Sequence, residues 1–145
     1  YPYRLEYGTP NTMGIAGVNA GLKWILGQGL EAVHEHEMKL TNMLVEGLRC
    51  IPGVTLYCQE DRHSHISVMA FNVDGMEAAN VGTILDVDYG VLCRTGLHCA
   101  PLVHQQLGTD KIKGAVRFGV GPFNTEEQIR TTIRAVSEIA GMKKR

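Results

Sequence analysis

The chain has 145 residues, of which 44% are hydrophobic and 20% charged. That is the size of one folded domain, too rich in core formers for a disordered tail and too short for a cofactor enzyme with two full domains. Fourteen Lys plus Arg against fifteen Asp plus Glu give a formal net charge of -1, which excludes the long-range pull toward nucleic acid or anionic lipid of a strongly basic domain.

Residues 4–12 read as an extended polar lead-in, with Thr12 placed to cap the helix that follows. Ile15, Val18, Leu22, Ile25 and Leu26 then recur at helical spacing. Gly14, Gly17 and Gly21 lie among them, and each costs about 1 kcal/mol in an exposed helix. Their presence predicts close approach by another element. Gly27-Gln28-Gly29 interrupts the run, and a clearer helix spans about Leu30 to Cys50, with Leu30, Val33, Leu40, Leu44 and Leu48 along one face. Ile51-Pro52-Gly53 ends it.

Beyond Gly53 the period shortens to two. Val54–Tyr57 and Ile66–Phe71 read as strands, and Asp74-Gly75-Met76-Glu77 as a capping box opening a helix through about Leu85. Val91-Leu92-Cys93 reads as a short strand running into the loop Arg94–Pro101. Ala115–Val120 is a further strand. Thr125 and Gln128 form a second capping box, before a helix burying Ile129, Ile133, Val136 and Ala140. The expected fold is α+β, a small sheet with helices packed on one face, preceded by a lead-in helix.

The chemistry concentrates at residues 93–104: Cys93, Arg94, His98, Cys99 and His104. Cationic neighbours favour a thiolate, and a loop cysteine among them is a candidate nucleophile. The competing reading of Cys99 is a small buried hydrophobe, the role expected of Cys93. Zinc is a rival for these residues, but their spacing departs from compact ligand patterns and His98 and Cys99 are adjacent; no metal site is assigned. His63-Ser64-His65 reads as a polar turn, and His34 and His36 do not share a helix face. Strand alternation places Arg117 opposite Val116 and Phe118, either on a solvated face or as a bidentate carboxylate binder. The segment Gly119–Phe123 lacks the spacing of a phosphate loop. Four cysteines, at 50, 58, 93 and 99, with no secretory leader and no apolar run of about twenty residues, point to reduced thiols in the cytoplasm and to no membrane partner.

Three motifs carry a resemblance: Gly8-Thr9-Pro10-Asn11-Thr12 with Gly14-Ile15, Arg94-Thr95-Gly96-Leu97-His98-Cys99-Ala100-Pro101, and Val116-Arg117-Phe118 with Gly121-Pro122-Phe123-Asn124-Thr125-Glu126-Glu127. In this order they resemble the cysteine desulfurase and selenocysteine lyase family, class-V aminotransferase relatives of PLP fold type I. The resemblance implies that Cys99 accepts sulfur from L-cysteine as a persulfide, releasing alanine. It implies that Arg117 holds the substrate carboxylate with help from Arg94, that His98 poises the thiol or shapes its loop, and that Thr9 reaches the PLP phosphate across a homodimer interface. Where lyase-type relatives often carry two histidines before the cysteine, this chain has Leu97-His98, which leaves the choice between cysteine and selenocysteine open. The Schiff-base lysine of the family belongs to a large domain upstream of Tyr1. The resemblance therefore implies a C-terminal portion, with residues 1–27 a lead-in that packs on that large domain and residues 28–145 the small domain. The parent protein is expected to be an enzyme, with a sulfur-acceptor protein as partner, and this chain alone to be inactive. The alternatives are another class-V activity such as selenocysteine lyase, a non-enzymatic thiol or persulfide carrier, and a zinc-binding domain.

Overall fold

The computed structural model describes residues 8–58 and 65–142. Its elements run α1 (Thr12–Gln28), α2 (Leu30–Arg49), β1 (Val54–Tyr57), β2 (Val68–Val73), α3 (Ala78–Tyr89), β3 (Arg94–Gly96), α4 (Pro101–Leu107), a 3-10 turn (Thr109–Ile112), β4 (Ala115–Gly119) and α5 (Glu126–Met142). The chain divides into two compact units between His34 and Glu35.

The first unit holds α1 and the start of α2. The Asn11 side chain accepts the Gly14 N–H at 2.9 Å and caps α1, so the cap is Asn11 and Thr12 is the first helical residue. No residue of α1 is buried, and its apolar Met13, Ile15, Val18, Leu22 and Leu26 are all exposed. Gly17 and Gly21 face open space, so the close approach expected at these glycines does not occur among the described residues.

The second unit is a small α+β domain built on a four-stranded antiparallel sheet in the order β1-β2-β4-β3. Alternation sorts the strands into two faces. Phe71 pairs with Val116 and Met69 with Phe118, and these four are buried with the apolar sides of α2, α3 and α5 in one core. Leu40, Leu44 and Leu48 of α2 enter it at helical spacing, as do Ile129, Val136 and Ile139 of α5. The Phe71 and Phe118 rings stack at 5.2 Å. Reciprocal bonds from Thr125 N to Gln128 Oε1 (3.1 Å) and Gln128 N to Thr125 Oγ1 (3.3 Å) confirm the second capping box.

Three further expectations are corrected. The Asp74–Glu77 segment is a turn, because Gly75 has φ 67°; α3 starts at Ala78, and Glu77 caps it without a side-chain bond while its carboxylate pairs with Lys113 at 2.7 Å. The third strand is Arg94–Gly96 rather than Val91–Cys93, since the ladder to β4 begins at Arg94. Residues after Cys99 do not continue as a loop: Pro101, whose fixed φ suits a first helical turn, starts α4. The polar lead-in at residues 4–7, and His63 and Ser64, lie outside the described residues. No helix among the described residues is long and apolar enough to cross a membrane.

Candidate active site

The sheet face opposite the core carries the candidate site. β3 pairs with β4 so that Arg94 stands directly across from Arg117, and Ala70 of β2 pairs with Arg117 on its other side. Directly opposed residues share a face, so two guanidinium side chains sit on neighbouring strands of one surface. Like charges in that relation are destabilising. A bound anion relieves the repulsion, and a carboxylate matches the guanidinium fork. Beside the arginines is an open cleft of about 360 Å³ lined by Val68, Leu92, Cys93, Arg94, Arg117 and Gly119. A larger groove of about 610 Å³, lined by Tyr89, Val91, Val120, Asn124 and Gln128 among others, contains neither arginine nor cysteine. The charge arrangement therefore assigns the chemistry to the smaller cleft.

β3 runs straight from Arg94 into the turn that holds Cys99. His98 and Cys99 both take left-handed backbone angles, with φ 52° and 58°. Such angles cost an L-residue roughly 1–2 kcal/mol each, so the turn persists because bonds around it hold it. Ala100 N donates to Leu97 O at 2.8 Å, and His98 Nε2 donates to Arg94 O at 3.3 Å. Cys99 is an exposed free thiol at the tip of the turn. Cys93 is half-buried against the core, and burial, reinforced by Asp86, pushes its thiol pKa up. Of the two cysteines, Cys99 is the one presented to solvent.

Burial holds the His98 pKa below its ordinary 6.5; its bond to Arg94 O opposes the shift, and the charges of Arg117, His104 and Arg94 add to it. The unfolded chain takes up this proton near pH 6.5 and folded His98 only at lower pH, so His98 costs stability as pH falls below about 6.5 and nothing above it. His98→Gln should flatten the fall of the denaturation midpoint as pH drops below about 6.5, read by urea titration.

The sequence-predicted residues thus divide. Arg94 and Arg117 are paired across β3 and β4, and His98 on the following turn lies within electrostatic reach of both, with Cys99 as its exposed neighbour. Thr9 is exposed in the first unit, three residues ahead of α1. Sequence reasoning considered His104 only as a rival zinc ligand; it is buried and bonded to Thr109 at 2.7 Å. Hydrophobic patterning gave no signal for it, since its apolar neighbours Leu102, Val103 and Leu107 are the exposed ones. No group of three or more His, Cys, Asp or Glu able to hold a metal occurs among the described residues.

Comparison with known proteins fixes the family. The aminotransferase class-V family matches residues 1–131. The chain belongs to that family. A cysteine desulfurase of Shigella flexneri is 35% identical over 139 residues, spanning 95% of this chain and 32% of that protein. One from Escherichia coli O157:H7 matches to the same extent. Among solved structures, this class-V chain superposes on the apo cysteine desulfurase of Thermococcus onnurineus NA1 with a TM-score of 0.88 and 35% identity, covering 97% of this chain and 34% of that one. It superposes on the cysteine desulfurase CsdA of Escherichia coli with a TM-score of 0.84 and 27% identity, covering 97% and 33%. The chain spans about a third of the length of the relatives it matches.

Proposed function

We propose that this chain is the substrate-carboxylate and sulfur-accepting part of a PLP-dependent cysteine desulfurase. The observation that carries the reading is the cross-strand pair Arg94–Arg117, joined through β3 to a strained turn presenting Cys99. The family relationship and the cysteine desulfurases among its relatives support it. Residues 1–27 are proposed as the lead-in to a large domain and residues 28–145 as the small domain.

The donor set fits the substrate side of a PLP site. Two guanidiniums suit the carboxylate of an amino acid. No lysine among the described residues lines the cleft; Lys39 pairs with Glu126 and Lys113 with Glu77. A Schiff-base lysine is proposed to belong to the large domain that the family resemblance implies. Thr9, an exposed residue, is the group this chain would bring to the cofactor phosphate, in a homodimer partner's site. When bound, PLP supplies the electron withdrawal that labilises the substrate amino acid.

Arg117 fixes the substrate by its carboxylate, with Arg94 sharing the charge, and so directs its side chain toward the Cys99 turn. The Cys99 thiolate forms a bond to the substrate sulfur as the carbon–sulfur bond breaks. The electron pair of the broken bond stays on the β-carbon, which takes a proton to give alanine, and Cys99 is left as a persulfide. A sulfur-acceptor protein would then take the terminal sulfur from the exposed turn. A reactive thiolate of this kind suits a reducing compartment such as the cytoplasm.

The test is the full-length, PLP-loaded protein given L-cysteine. Alanine should appear together with protein-bound persulfide. Arg117→Gln should lower kcat/KM for cysteine about a hundredfold, mostly through KM, because the lost contact is made in the ground state and the transition state alike. Alanine production with KM and kcat untouched by Arg117→Gln would sink the assignment of the carboxylate site.

A further inference from the structure

α4 is exposed along its length except at one residue, His104, which is buried. Burying an imidazole is unfavourable unless its nitrogens find partners, so this position is specified by more than apolar packing. His104 Nδ1 lies 2.7 Å from Thr109 Oγ1. The Thr109 hydroxyl also reaches His104 O, in a long bond of 3.4 Å. The much shorter 2.7 Å contact is the stronger tie between the ring and the Thr109 hydroxyl, whichever of the two donates.

The anchor continues inward. Gly114 N donates to Thr109 O at 2.8 Å, and Gly114 O accepts from Asn72 Nδ2 at 3.0 Å. His104 is thereby tied to β2 in the middle of the sheet. Outward, its ring meets the ring of His98 at a centroid separation of 5.5 Å, tilted by 47°. His98 in turn donates from Nε2 to Arg94 O, and its neighbour is Cys99. The charged and titratable groups that act on the His98 ring are Arg117 and Arg94 from the sheet and His104 from α4.

We propose that His104 is a positioning residue for Cys99, backing the His98 ring and so holding the left-handed Cys99 turn in register with the two arginines. The proposal rests on the reading of Cys99 as the sulfur acceptor. It explains why the one buried residue of α4 is aromatic and polar, and why two consecutive non-glycine residues keep left-handed angles without glycine's freedom.

The discriminating variant is His104→Asn in the full-length, PLP-loaded protein. Asparagine places an amide group, able to donate or accept, where Nδ1 stands, so the bond to Thr109 and the melting temperature should survive, while the contact to His98 is lost. We expect kcat for alanine formation to fall about tenfold with KM for cysteine within about twofold, since the arginines are untouched. The rate at which iodoacetamide labels Cys99, followed by peptide mass spectrometry, should rise about threefold or more as the turn loosens. A wild-type labelling rate overturns the proposal whether or not Cys99 accepts sulfur, because labelling needs neither turnover nor cofactor. Should His104→Asn fail to fold, the wild-type protein still decides: ring nitrogen shifts must show the His98 proton on Nε2, and a proton on Nδ1 alone overturns it.

Discussion

Cys99→Ala in the full-length protein should abolish cysteine-dependent persulfide formation, with alanine release falling at least about a thousandfold. The expectation follows from the position of the thiol. Cys99 is an exposed free cysteine on the turn that β3 leads into, whereas Cys93 is half-buried with its thiol disfavoured as an anion by burial. Removing one sulfur atom from an exposed turn leaves the core and the Arg94–Arg117 pairing intact. PLP absorbance and its change on adding cysteine should therefore persist, which separates loss of the nucleophile from loss of substrate binding. Cys50→Ala, at an exposed position just after α2, serves as the control and should turn over as wild type. Undiminished persulfide in the Cys99 variant would transfer the role to another thiol and remove the basis for reading this turn as catalytic.

The sequence was most informative where periodicity and side-chain type agree. α2 and α5 follow from apolar residues at three- and four-residue spacing, and β1 from a short β-branched run after a Pro-Gly stop. Arg117 could be assigned to the non-core face because alternation alone determines which way a strand residue points. Its partnership with Arg94 could not be read that way, since strand register is a long-range property and the ladder joins residues 23 positions apart, 94 to 117. The segment after Cys99 was legible as motif and not as structure. Leu102, Val103 and Leu107 are apolar yet exposed, and the single buried residue is a histidine, so hydrophobic patterning gives no helix there. The Asp74–Glu77 error has a similar origin. Its spacing matches a capping box, but the Asp-Gly pair also suits a turn with a positive φ, and β2 enters that turn through the bond from Asp74 N to Gly53 O at 2.7 Å. Local spacing was outweighed by the hairpin-like closure of β1 and β2.

Gly114→Ala should be the most damaging glycine-to-alanine substitution among the described residues of the second unit. Gly114 has φ 98° and is buried immediately before β4, where a Cβ would overlap the backbone of Gly96 at the end of β3. The obstacle is main chain, which cannot swing aside as a flexible side chain does. Relief would require β3 to separate from β4, breaking the register that sets Arg94 against Arg117, or Gly114 to abandon its bonds to Thr109 and Asn72. The left-handed angle alone costs an alanine roughly 1 kcal/mol. Adding the clash, we expect about 3–5 kcal/mol, the range reserved for strain and overpacking at sites that cannot adjust. Gly90→Ala isolates the first component: Gly90 has φ 65° and nothing near its missing Cβ, so its cost should stay near 1 kcal/mol. Urea denaturation of the two variants side by side measures the difference. Equal midpoints would mean that β3 moves off Gly114 at little cost, and the sheet edge carrying Arg94 would then be too compliant to hold two like charges opposite each other without a bound anion.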